Sequence, residues 1–214
     1  MATTKFKGQP VKVIGEFIKV GAVAPDFELV KTDLSSFSLK ELNGKNVILN
    51  IFPSLDTGVC ATSVRKFNEL AAGLPDTVVL AVSKDLPFAH ARFCTTEGIE
   101  NVIPLSDFRC SDFDENYGVR MADGPLSGLL ARAVIVVGKD GKIAYTDSYR
   151  RLRKSRTMKR RLRQLGNNLF GLNYTIKKRW MKKGCLYPPF FILIFSVLFL
   201  YKSENLQRIP QLPE

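Results

Sequence analysis

Two short, continuous apolar runs stand out in the first half of the chain, "VILNIF" at residues 47–52 and "TVVLAVS" at 77–83. Runs of this length without alternation predict strands buried on both faces in the middle of a sheet. Between them Val64, Phe67, Leu70 and Ala71 recur at helical spacing, and Gly73 with Pro75 closes the segment, so a helix is expected there. The pattern then repeats, with the helical "LPFAHARFCTTEG" after the second run and the apolar "VIPLSD" after that. Strand, helix and strand in this order predict parallel strands covered by helices. Further on, "ARAVIVVGKDGKIAYTD" reads as two strands around a "GKDG" turn. At the other end, "KFKGQPVKVIGEFIKVG" reads as a two-stranded hairpin around a Gly-Gln-Pro break.

The order β-α-β-α-β followed by a hairpin defines the expected fold class: α/β, thioredoxin-like, with an additional N-terminal β-hairpin. Such a sheet needs one more helix to close a face. The 214 residues suffice for one ordinary core, with about sixty left over. Charge shows where the surplus lies. Residues 1–147 carry 16 Lys+Arg and 18 Asp+Glu, net −2, and residues 148–214 carry 16 and 2, net +14. The division expected is therefore a domain over 1–147 and a basic, then apolar, tail over 148–214. "MATTKFKGQP" has no apolar stretch behind its charges and suggests no secretory signal, so the expected location is the cytoplasm.

Chemistry concentrates at "PSLDTGVC", residues 53–60, between the first apolar run and the helix after it. A thiol in the first turn of a helix meets unpaired backbone N–H groups and the positive end of the helix dipole, both of which favour thiolate. Ionisation alone is not enough. Lowering a thiol pKa from about 8.5 to about 6 raises the thiolate fraction at pH 7 roughly thirtyfold, so orientation and charge stabilisation must supply the rest. Thr57 can bring its hydroxyl to the same helix mouth, and Pro53, without an N–H, can shield a pocket from water. Each also has a plainer use: Thr57 as a helix cap, Pro53 as a strand end and Cys60 as a small buried hydrophobe. Four cysteines, at 60, 94, 110 and 185, match neither a zinc pattern nor a small disulfide scaffold. A CxxC dithiol would need cysteine at Ser63. A hydrolase dyad would need the single histidine, His90, whose plainer reading is a surface residue.

"PSLDTGVC" fits Pro-x-x-x-Thr-x-x-Cys, and its surroundings "FPSLDTGVCATSVRKFN" resemble the bacterial thiol peroxidases, a subfamily of the peroxiredoxins. The resemblance runs from about Phe6 to Asp147 and includes "GAVAPDFELV", "DLPFAHARFC", "YGV" and "ADGPLSGLLARAV". It implies that Cys60 is the peroxidatic cysteine, that Thr57 hydrogen-bonds the peroxide and that Pro53 shields the sulfur. It assigns Arg132, at the start of "AVIVV", to stabilising the thiolate and polarising the O–O bond. It makes Cys94 the resolving cysteine, forming an intramolecular disulfide with Cys60 that thioredoxin reduces. Hydrogen peroxide and alkyl hydroperoxides are the implied substrates, a homodimer the implied assembly, and no metal or organic cofactor is implied. Cys110 and Cys185 receive no role.

The tail departs from that pattern. Family members continue with an acidic segment and a closing helix, whereas this chain reads "SYRRLRKSRTMKRRLRQL". Suitable codons for those eighteen residues, preceded by one extra C, read in the adjacent frame as "LVPEIEEEPDYEAALAAA", which resembles the family terminus. The tail is accordingly read as the product of a single-base deletion near Asp147 and Ser148, with the closing helix missing or replaced. At face value "FFILIFSVLFLY" is too short to span a bilayer. With the basic residues before it, it could touch an anionic membrane, and it shows no specific nucleic-acid motif. The rival function is thus a non-enzymatic membrane- or polyanion-binding protein driven by the tail.

Overall fold

The computed structural model describes residues 3–6, 9–74, 76–109 and 112–148. Cys110, Cys185 and the tail beyond Ser148, with the expectations placed on them, lie outside the described residues.

Among the described residues, seven strands form one sheet in the order β4 (Ser36–Ser38), β3 (Glu28–Val30), β7 (Val102–Ser106), β6 (Thr77–Ser83), β5 (Asn46–Ile51), β8 (Ala133–Val137), β9 (Ile143–Ser148). Its centre consists of the two apolar runs: β5 (Asn46–Ile51) and β6 (Thr77–Ser83) pair in parallel, and β7 (Val102–Ser106) pairs in parallel with β6. Helix α1 (Gly58–Ala71) connects β5 to β6, and α2 (Pro87–Glu97) connects β6 to β7. On the other side of β5, β8 (Ala133–Val137) and β9 (Ile143–Ser148) run antiparallel, as the "GKDG" turn predicts. The architecture is the α/β, thioredoxin-like one expected.

The side-chain period of two divides β5 between the faces. Val47, Leu49 and Ile51 join one core cluster with Leu80, Val82, Ile135 and Val137. Phe27, Phe113 and Tyr117 close that cluster, with Phe27 and Phe113 meeting edge to face at 5.2 Å between ring centroids. Asn50, one step out of phase, faces α1, where its Oδ1 accepts a hydrogen bond from Ser63 at 3.1 Å. Just past Tyr117, Gly118 takes φ +64°, and a Cβ there would run into the Glu16 carbonyl. Only glycine permits this crossing of the two segments.

Two features differ from the sequence expectation. The edge hairpin β3 (Glu28–Val30) and β4 (Ser36–Ser38) was not anticipated. The N-terminal hairpin is present, but Gln9 and Pro10, expected in its break, belong to a strand: β1 (Thr3–Phe6) pairs with β2 (Gln9–Lys12), and Pro10 lies opposite Lys5. A two-stranded ribbon has only edge strands, so proline can turn its missing N–H away from the ladder. This ribbon supports a distant segment. Val11 and Val13 pack with Met121 and Ala131, Lys12 N–H donates to Asp123 at 2.7 Å, and Ala122 N–H donates to the Lys12 carbonyl at 2.8 Å.

A charged cluster is buried just past the carboxyl ends of β6 and β7. Lys84 Nζ lies 3.1 Å from Asp107 Oδ2 and 3.0 Å from Asp114 Oδ2, and both carboxyl groups are fully buried. Burial, opposed by the Lys84 ammonium, pushes the Asp107 carboxyl up to about 7. The folded protein therefore holds this proton to higher pH than the unfolded chain, and the contribution of Asp107 to stability falls as pH rises from about 4 to about 7. Asp107→Asn should flatten that slope. Denaturant midpoints at pH 5 and pH 7.5 should lie closer together in the variant than in the wild type, and an unchanged gap would refute the assignment.

Candidate active site

The loop from Pro53 to Thr57 leaves the carboxyl end of β5 and delivers Cys60 to the third position of α1. Thr57 occupies the N-cap position in extended conformation, but its side chain makes no capping bond to the helix. Its Oγ1 instead lies 2.6 Å from Cys60 Sγ and 3.1 Å from the Ser54 carbonyl. Of the two uses the sequence allowed, the hydroxyl therefore serves the sulfur. One proton cannot serve both neighbours at once. When it goes to Ser54, Thr57 offers a lone pair towards the sulfur side, and when it turns to Cys60, the oxygen donates to the sulfur.

Arg132 comes from 72 residues away, and its Nη2 donates to Cys60 Sγ at 2.8 Å. Sheet register explains the meeting. Ile51, the last residue of β5, pairs with Ala133, the first of β8, so the residue preceding β8 lies beside the loop leaving β5. The N-terminal ribbon, packed on Ala131, holds that approach in place. Arg132 is half-buried, whereas Cys60 is fully buried. Pro53 is half-buried in the loop, two residues past β5. A groove of about 530 Å³ borders Arg132 and is lined by Val59, Thr62, Val134, Asn50 and Lys66 among others.

Cys94 lies in the last turn of α2, half-buried, and like Cys60 it is a free thiol. Burial pushes its thiol up, so it is protonated at neutral pH. His90, one turn earlier on the same helix, is not on the surface: it is only 1% exposed. This corrects the surface position expected for it. Burial drives its imidazole down to about 4, against the pull of Asp85, so the ring is neutral.

The site also includes residues that sequence reasoning missed. Asp85 Oδ2 accepts the Leu55 N–H at 2.7 Å, inside the loop that carries Thr57 and Cys60. Ser83 Oγ donates to the same oxygen at 2.8 Å. Both residues come from "SKD" at the carboxyl end of β6. A signal was available, since polar residues just beyond the carboxyl ends of parallel strands are where open α/β sheets build their sites.

A buried sulfur at a helix mouth, reached by a hydroxyl and a guanidinium on a thioredoxin-like sheet, defines the class as a thiol-based redox protein. The comparisons agree. The Redoxin family model matches residues 19–159. A thiol peroxidase of Corynebacterium glutamicum is 57% identical over 146 residues, covering 68% of this chain and 88% of that protein. One from Mycobacterium tuberculosis is 56% identical over 147 residues, covering 69% and 88%. Among solved structures, a peroxiredoxin-like protein from Aquifex aeolicus superposes with TM-score 0.65 at 43% identity, covering 68% of this chain and 85% of that one. A thiol peroxidase from Chromobacterium violaceum, at 24% identity and TM-score 0.61, shares the fold. The chain belongs to the redoxin family, in its thiol peroxidase branch.

Proposed function

We propose that this peroxiredoxin-type peroxidase reduces hydrogen peroxide and alkyl hydroperoxides at Cys60 and resolves the product with Cys94. The observation that carries this reading is the fully buried Cys60 sulfur held between Thr57 Oγ1 and Arg132 Nη2. The Cys60 thiolate attacks the terminal peroxide oxygen, forming an S–O bond as the O–O bond breaks. The leaving alkoxide takes a proton and departs as alcohol, or as water from hydrogen peroxide, and Cys60 becomes a sulfenic acid. Thr57 positions the peroxide, its lone pair accepting the O–H. Arg132 stabilises the thiolate and then the charge developing along the O–O bond. Pro53 shields the sulfur from water. The groove beside Arg132, with Val59 and Val134 in its wall, leaves room for an organic substituent.

In the second step the Cys94 thiol attacks the sulfenic sulfur. An S–S bond forms, and the hydroxyl leaves with the Cys94 proton as water. A thioredoxin-type dithiol then reduces the disulfide by exchange, becoming oxidised itself. A protonated Cys94 suits this task, because it brings the proton that water needs and does not compete for peroxide. The same reading makes the protein a cytoplasmic homodimer. Val59, Leu86 and Phe88 are exposed apolar residues in the first turns of α1 and α2 or next to them, at one end of the sheet, and their positions support self-association there.

Cys94→Ser provides the test. It should oxidise once and then accumulate sulfenic acid at Cys60, which a dimedone adduct located by mass spectrometry would record. If the variant sustains many turnovers with thioredoxin, Cys94 is not the resolving thiol.

A further inference from the structure

His90 takes no part in the chemistry above, yet it is buried and sits in a hydrogen-bond line that ends in the active-site loop. Its Nε2 lies 2.9 Å from Ser83 Oγ, and its Nδ1 has no hydrogen-bond partner among the described residues. The direction of each bond follows from counting protons. Asp85 Oδ2 already accepts the Leu55 N–H and takes the single Ser83 hydroxyl proton at 2.8 Å. Ser83 Oγ also accepts the Asp85 N–H at 3.2 Å. Ser83 can therefore only accept from the ring, and the histidine proton sits on Nε2. The line runs from His90 Nε2–H to Ser83, from Ser83 O–H to Asp85, and meets the Leu55 N–H on the same carboxyl oxygen.

Both ends of this line bear on the two cysteines. Leu55 lies two residues before Thr57 and five before Cys60, in a loop whose other hydrogen bonds among the described residues are short-range, such as Asp56 N–H to Ser54 Oγ. His90 lies four residues before Cys94, on the same side of α2. We propose that His90 is a positioning residue: through Ser83 and Asp85 its Nε2–H fastens the loop that carries Thr57 and Cys60 to the helix that carries Cys94. The proposal rests on the reading of Cys94 as the resolving thiol.

The fastening acts on the two chemical steps unequally. Peroxide attack needs Cys60, Thr57 and Arg132 in the arrangement observed, so loosening the loop slows it. Disulfide formation needs Cys60 to leave that arrangement and reach Cys94, so loosening the loop does not slow it. His90→Leu should lower the rate of peroxide attack roughly five- to tenfold, the loss of one buried donor, and leave condensation as fast or faster. His90→Gln, whose amide can donate to Ser83, should restore the first step. Ser83→Ala breaks the line at its middle without removing a ring and should show the same split. The His90→Leu/Ser83→Ala double variant should be no slower than the worse single one.

The experiment is rapid mixing of the full chain with peroxide, quenched at intervals. Trapped sulfenic acid reports the first step, and mass-resolved disulfide reports the second. Peroxide attack at wild-type rate in His90→Leu and Ser83→Ala, with disulfide forming normally, overturns the role of His90 and leaves the Cys94 reading intact. Equal slowing of both steps, unrelieved by His90→Gln, also overturns it and makes the line purely structural. If the wild type forms no Cys60–Cys94 disulfide, both readings fall.

Discussion

Cys60→Ser should abolish peroxide consumption, lowering it by at least about a thousandfold to the background rate. A serine hydroxyl fits the space of the thiol, and Thr57 and Arg132 still surround it, so the variant keeps its positioning groups and loses only the nucleophile. At neutral pH an alcohol supplies essentially no anion, and its oxygen cannot cycle through a sulfenic acid. Steady-state consumption coupled to thioredoxin measures the loss, and a thermal melt shows that the variant is folded. Multiple turnovers in this variant would move the chemistry to another residue and remove the basis for every role assigned above.

Arg132→Met should slow peroxide attack about 10²- to 10³-fold, the cost of removing one fixed donor from a site of developing charge. Methionine keeps much of the stem's bulk, so packing against the loop changes little. The charge has two uses, and pH separates them. If Arg132 only favours the thiolate, variant and wild type converge at high pH, where the thiol is ionised in both. A gap that persists there means that the guanidinium also acts on the breaking O–O bond. Convergence would overturn the transition-state role and leave only the ground-state one.

The parts of the fold that were legible from sequence are those where one physical signal dominates. "TVVLAVS" becomes β6 residue for residue, and β5 differs from its apolar run by one residue at each end, because burial on both faces leaves no competing pattern. The hairpin strands β3 and β4 were illegible. They have three residues each, too few for alternation to show, and they pair through a turn at which Leu34 takes φ +69° without any glycine to announce it. His90 was misplaced because α2 carries little amphipathic contrast. A histidine between two alanines there reads as surface, and only the fold brings Ser83 to its ring. Thr57 shows a different limit. It stands at the N-cap whether its hydroxyl caps the helix or serves the sulfur, and only the side-chain geometry decides between the two. Arg132 became legible through resemblance. Seventy-two residues separate it from Cys60, and the β5–β8 register that joins them cannot be counted from spacing.

The two thiols sit at opposite ends of their helices, Cys60 in the first turn of α1 and Cys94 in the last turn of α2. In the proposed cycle this arrangement sets up a race. With Cys94 held protonated, a flood of oxidant finds only one open address, and the second peroxide molecule to arrive meets the sulfenic acid that the first one left. Either Cys94 reaches that sulfur first and the electrons are returned by a reductant, or the peroxide does and the sulfur passes to sulfinic acid, a state thiol reductants do not recover. The working life of each molecule under oxidative load is therefore a ratio of two rates at a single atom. Peroxide concentration sets one of those rates. The approach of Cys94 to the Cys60 sulfur sets the other.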